Sequence, residues 1–123
     1  VEQYVTTVNI EGETAASIAR TMLLPAAVQW AATLGGAGGS AGVGKLKGEL
    51  EPLIDEFVDA LFALETANRD HPEDGDLLAE AKYVQTTVMP AMQAVRDVAD
   101  KLERIVPDDL WPLPKYSEIL FIK

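Results

Sequence analysis

Large apolar side chains recur every three or four residues through three separate stretches of this chain, and that period commits it to amphipathic helices. The clearest stripe is Leu46, Leu50, Leu53, Phe57, Leu61 and Leu64, which Ile54 and Val58 widen. It predicts a helix over about 45–70. His71 precedes Pro72 and is thereby biased away from the helical region, so the helix ends there. A second stripe, Leu77, Ala81, Val84, Val88, Met92, Val95, Ala99, Leu102 and Ile105, predicts a helix over about 76–105. Asp76 or Asp74 offers an N-cap, and Pro107 closes the helix. The first stretch, about 2–34, carries Val1, Tyr4, Val8, Ala15, Ile18, Met22, Ala26 and Trp30 at helical spacing. Its beginning is ambiguous, because Val5-Thr6-Thr7-Val8 is β-branched and Gly12 is a poor helix former. Pro25 and Pro90 lie inside the first and third patterns and should bend those helices. The expected architecture is all-α: an antiparallel bundle of three long helices, two with internal proline, plus an extended C-terminal tail.

The 123 residues suit a single domain with a core of its own, 1–123, without staples. Composition is ordinary for a globular chain, with 48% hydrophobic and 24% charged residues. The formal net charge of −10 repels phosphate backbones and anionic lipid, so neither nucleic acid nor a membrane is an expected partner. There is no cysteine, which removes disulfides, thiolate metal sites and a cysteine nucleophile. No apolar run approaches the roughly 20 residues of a membrane span. The start Val1-Glu2-Gln3-Tyr4 lacks a basic leader, and valine at the first position is what a piece of a longer chain would show. A cytoplasmic location is the expectation.

Candidate chemistry is sparse. Residues 35–44 form a Gly-rich linker, and Gly39 to Lys45 fits Gly-x-x-x-x-Gly-Lys, the core of a phosphate-binding loop. Leu46 stands where that loop needs a magnesium-binding hydroxyl, and a helix precedes it where a strand is required. A flexible connection is the better reading. Asp70, Asp74, Gly75 and Asp76 suggest a calcium loop, but Pro72 and Ala81 occupy two ligand positions, so an acidic turn is expected. Residues 49–80 hold eleven acids against one base, Arg69. Glu51, Asp55 and Asp59 repeat every four residues, which gives a solvated face or a docking face for a basic partner. A di-metal bundle would need Glu-x-x-His pairs, and His71 is the single histidine. Ser17, Ser40 and Ser117 have no base at catalytic spacing. No catalytic, cofactor or metal residue is therefore assigned. The aromatic tail, 107–123, is too short to fold alone, and Trp111, Pro112, Pro114, Tyr116, Leu120 and Phe121 are the candidate interaction residues.

The run Leu110-Trp111-Pro112-Leu113-Pro114-Lys115-Tyr116-Ser117-Glu118-Ile119-Leu120-Phe121 resembles the C-terminal end of type III glutamine synthetases. Glu2-Gln3-Tyr4 with Val8-Asn9-Ile10-Glu11 looks like the approach to that family's C-terminal helices. Leu24-Pro25-Ala26-Ala27 and Val88-Met89-Pro90-Ala91-Met92, the second followed by Arg96, resemble its two proline-bearing helix segments. The resemblance implies a large cytoplasmic homo-oligomer that joins ammonia to glutamate with ATP and magnesium. It implies that the catalytic residues and the ATP and magnesium sites lie upstream, outside this stretch. It also implies, as partners, the protein's own catalytic domain and neighbouring subunits. The linker at 35–44 departs from the family's pattern. Against this stands a free-standing acidic helical-bundle interaction module.

Overall fold

The computed structural model describes residues 1–72 and 76–114. They form three helical rods and, among the described residues, no strand. The first rod is α1 (Glu2–Ile18), a π-helical turn (Ala19–Leu23) and α2 (Leu24–Gly35). The second is α3 (Ala41–Arg69). The third is α4 (Leu77–Tyr83), a second π-helical turn (Val84–Val88) and α5 (Met89–Glu103). Val5-Thr6-Thr7-Val8 is helical, because both valines bury against Val84 and Val88 of the third rod. The chain order runs up, down, up. Asn68 meets Gly12 and Glu65 meets Arg20 across the first pair of rods. Tyr83 meets Ala67 and Lys101 meets Glu56 across the second pair.

Both π-turns stand directly before a proline, and for one reason. Proline has no N–H, and its ring collides with the carbonyl four residues back. Widening the preceding turn moves that carbonyl aside. The Leu24 N–H then reaches the Ala19 carbonyl and the Met89 N–H the Val84 carbonyl, five residues back in each case. A threonine four residues before each proline adds a donor. Thr21 Oγ1 donates to the Ser17 carbonyl at 2.6 Å, and Thr86 Oγ1 to the Lys82 carbonyl at 2.7 Å. Each proline expected to bend its helix is thus preceded by a local expansion of that helix. The count of two proline-bearing helices is corrected to three, because Pro52 lies inside α3. Pro52 and Gly48, whose carbonyl loses its partner, are both exposed, so water can serve the orphaned oxygen without a π-turn.

The core is built from large residues of α3 against small residues of the first rod. Leu50, Phe57, Leu61 and Leu64 are fully buried. They pack with Ala16, Ala19, Leu23 and Ala27, and with Val95, Val98 and Leu102 of α5. This corrects the stripe read along the first rod. Tyr4 and Met22 are exposed, and burial follows Val5, Val8, Gly12, Ala16, Ala19 and Leu23 instead. Small side chains let the rods approach closely, and the volume is filled from the other side. Leu46 and Leu77 also lie at the exposed ends of their stripes.

The Gly-rich linker of 35–44 is shorter than its composition suggests. The first rod continues through Gly35, and α3 begins at Ala41. Ser40 is its N-cap, and its hydroxyl accepts the Val43 N–H at 3.2 Å. Val43 packs on the core and holds the glycine-rich first turns helical. What remains is a five-residue connection, 36–40, in which Gly38 takes φ +95°, a left-handed conformation suited to glycine. At the next corner Asp76 caps α4, its carboxylate accepting the Leu78 and Ala79 N–H groups.

Candidate functional site

The first and third rods do not close on each other along their whole length. Between them runs a groove of about 690 Å³, open to solvent along one side. Its floor is Ala15, Ala19 and Val95, and its rim carries Glu11, Arg96, Asp100 and Glu103. Val8 and Met89 mark one end, where the Tyr4 hydroxyl reaches Met89 Sδ at 3.0 Å. Trp111, Leu113 and Pro114 mark the other.

Trp111 is set there by the turn that follows α5. The Pro107 carbonyl accepts both the Leu110 N–H (3.0 Å) and the Trp111 N–H (3.1 Å), which folds the chain back over the bundle. The indole is 8% exposed and joins the main core, with Leu110 and Leu113 packed beside it. Pro112 and Pro114 are exposed. Of the six candidate interaction residues, Trp111 and Pro114 thus line one end of the groove, and Pro112 is exposed beside them in the chain. Tyr116, Leu120 and Phe121 lie outside the described residues.

The phosphate-loop match is spent on helix capping. Ser40 is occupied at the α3 N-terminus, Lys45 lies on the exposed side of its second turn, and a helix precedes the glycines. Among the described residues, no three His, Asp or Glu side chains are grouped to hold a metal ion. Asp70 pairs with Arg69 at 3.5 Å, Asp76 is a cap, and Asp74 and Gly75 lie outside the described residues. Glu51, Asp55 and Asp59 are exposed along α3. His71 is half-buried, its Nδ1 3.3 Å from the Pro72 carbonyl.

The perturbed titratable groups each have a structural cause. Arg20 Nε and Nη2 donate to the two Glu65 oxygens at 2.6 Å, a bidentate pair. These bonds hold the Glu65 carboxyl below its ordinary range, although its partial burial acts the other way. The same guanidinium lies 5.5 Å over the ring of exposed Phe62. Burial pushes the Tyr83 phenol up, and neighbouring Asp70 adds to the shift. That hydroxyl donates to the Ala67 carbonyl at 2.8 Å and ties α4 to the end of α3.

Two comparisons bear on where such a bundle belongs. A type-3 glutamine synthetase of Dictyostelium discoideum is 41% identical over 71 residues, covering 58% of this chain. A glutamine synthetase of Bacteroides fragilis is 32% identical over 85 residues, covering 63%. About 60% of the chain is homologous to glutamine synthetase, the type III enzyme included. The glutamine-synthetase-related chain spans only 9% and 12% of the length of these curated relatives. No family model matches the chain, and no solved structure matches it. No described helix is long and apolar enough to cross a membrane.

Sequence reasoning missed three features of this bundle: the Gly12–Asn68 contact, the Arg20–Glu65 pair and the two threonines. The threonines left a signal. Thr21-Met22-Leu23-Leu24-Pro25-Ala26 and Thr86-Thr87-Val88-Met89-Pro90-Ala91 share threonine four residues before the proline and alanine after it. Gly12 left one too, a glycine at a core position of a helix, which marks a close approach.

Proposed function

We propose that this bundle is a non-catalytic structural and subunit-contact domain of a type III glutamine synthetase. The observation that carries the reading is the homology of about 60% of the chain to enzymes of which it spans about a tenth. A small helical domain in a much longer ligase is best placed to stabilise the fold and its assembly. The chemistry of the described residues agrees. The perturbed groups Glu65 and Tyr83 are both tied into rod-to-rod contacts. The parent reaction is the ATP-dependent ligation of ammonia to glutamate, with ATP and magnesium held outside this domain. The partners are the protein's own catalytic domain and neighbouring subunits of a cytoplasmic homo-oligomer. The exposed apolar and acidic surface of α3, with Phe62 and the Glu51, Asp55 and Asp59 row, offers area for such contacts.

The test is glutamine formation from ammonia, glutamate and magnesium-ATP by the 123-residue chain alone. No turnover above background is expected, and clear turnover would overturn the non-catalytic reading. A free-standing acidic interaction module is the alternative. A reading frame that begins at this bundle, with no ligase sequence joined to it, would favour that alternative.

A further inference from the structure

The rim that α5 gives to the groove has a helical pattern of its own. Met89, Gln93, Arg96, Asp100 and Glu103 all line the groove, spaced by four, three, four and three residues. That spacing keeps them on one side of the helix, as in a seam that packs against another helix. Met89, Gln93, Arg96 and Asp100 are exposed, so no other described rod covers this seam. We propose that it pairs with the same seam of a second copy of this chain. The two α5 helices run antiparallel about a twofold axis level with Val98, each laid in the other's groove. The pairing rests on the subunit-contact reading and gives that contact a surface.

Charge complementarity selects this occupant and its direction. Arg96 is the one basic residue lining the groove among the described residues, and no ion pair among those residues holds Arg96 or Asp100. With the axis level with Val98, Arg96 of each copy stands beside Asp100 of the other, so the dimer contains this contact twice. The same operation sets Gln93 level with Glu103, an amide against a carboxylate. Met89 lies about 13 Å along the helix from the axis. At that height the second copy's α5 has already ended at Glu103, and its Trp111, Leu113 and Pro114 line the groove. The apolar end of each groove is therefore covered by the opposite apolar end of the other copy. Ala15, Ala19 and Ala99 are small residues of the groove and let the incoming helix come close. A parallel pairing would set Arg96 on Arg96 and Asp100 on Asp100, which like charges oppose.

Sedimentation equilibrium on the 123-residue chain tests the pairing, at about 0.15 M salt to screen the net charge of −10. A reversible dimer is expected at chain concentrations below about 1 mM. Arg96→Asp puts Asp against Asp at both contacts, and Asp100→Arg puts Arg against Arg, so each variant should dimerise about tenfold more weakly. Asp100→Arg also lowers the net charge, so general repulsion between chains predicts the opposite sign for it. Mixing the two variants places Arg against Asp at both contacts of the heterodimer. The average mass of the mixture should then exceed that of either variant alone at the same total concentration. Both positions are exposed, circular dichroism checks that each variant is folded, and a defect inside one chain cannot be rescued by mixing. A chain that stays monomeric up to about 1 mM would overturn the pairing and leave the groove to a different partner. The non-catalytic reading would survive that result, because turnover tests it separately. A dimer indifferent to both substitutions, or variants whose mixture shows no gain in mass, would overturn the seam and its register.

Discussion

Gly12→Ala should destabilise this protein although alanine is the better helix former. A Cβ built on residue 12 would stand 2.6 Å from Asn68 Oδ1 and 3.2 Å from Val88 Cγ1. The first distance is too short to survive, so the Asn68 amide would have to turn. That amide also donates from Nδ2 to the Gly12 carbonyl at 3.0 Å, and its Oδ1 is buried with no hydrogen-bond partner. Turning it gives up a hydrogen bond worth about 1 kcal/mol. Val88 is fully buried and has little room to retreat, which adds roughly 1–3 kcal/mol of overpacking. Helix propensity returns about 1 kcal/mol. The net expectation is a loss of about 1–3 kcal/mol, measured by urea unfolding followed by far-UV circular dichroism. Asn68→Ala in the Gly12→Ala background removes the collision, so the two substitutions should couple, with the double variant less destabilised than the sum of the single ones. If Gly12→Ala alone stabilised the protein by about 1 kcal/mol, the close approach of α1 to α3 at this point would be refuted.

Other perturbations address the core, the ion pair and the glycine-rich turn. Phe57→Ala should cost about 3–5 kcal/mol in the same unfolding assay, since the ring is fully buried among Leu50, Leu61 and Leu64; a loss below about 0.5 kcal/mol would mean that α3 presents another face. Glu65 has a folded pKa below its unfolded one, so the pair with Arg20 contributes stability above the ordinary glutamate range and loses it as pH falls below that range and through the lowered folded value. Glu65→Gln should flatten that part of the acid-unfolding curve, and an unchanged curve would show the pair to be silent. Calorimetry with magnesium-ATP should give no heat of binding on the 123-residue chain, because Ser40 caps α3 and Lys45 faces solvent; submillimolar affinity lost in Lys45→Ala would revive the phosphate loop.

The all-helical bundle and most of its core were legible because α3 and α5 bury large residues at regular spacing. Phe57, Leu61, Val88 and Leu102 announce themselves by size and period. The first rod was harder to read. It buries Gly12, Ala16 and Ala19, residues whose small size is their contribution, and a search for bulk selected Tyr4 and Met22 on the neighbouring face instead. Pro25 and Pro90 were legible, and the π-turn before each follows from the carbonyl collision that one extra residue per turn relieves. The glycines at 42 and 44 read as a linker, yet a serine cap and one core contact from Val43 suffice to hold them in a helix. Of the candidate interaction residues, Trp111 could be foreseen as buried because an indole in a proline-stiffened segment covers much area at little entropic cost. The groove it helps to form could not, because it depends on the spacing between two rods far apart in sequence.

A bundle that supports assembly rather than chemistry should act on the oligomer before it acts on turnover. The most direct test is Trp111→Ala in the full-length ligase that we propose carries this domain, with oligomer size by light scattering and glutamine formation measured on the same sample. The oligomer should dissociate or lose stability, and activity should fall only in proportion to the assembled fraction. An intact oligomer with a selectively lowered turnover number would contradict it and place this end of the bundle beside the reacting groups.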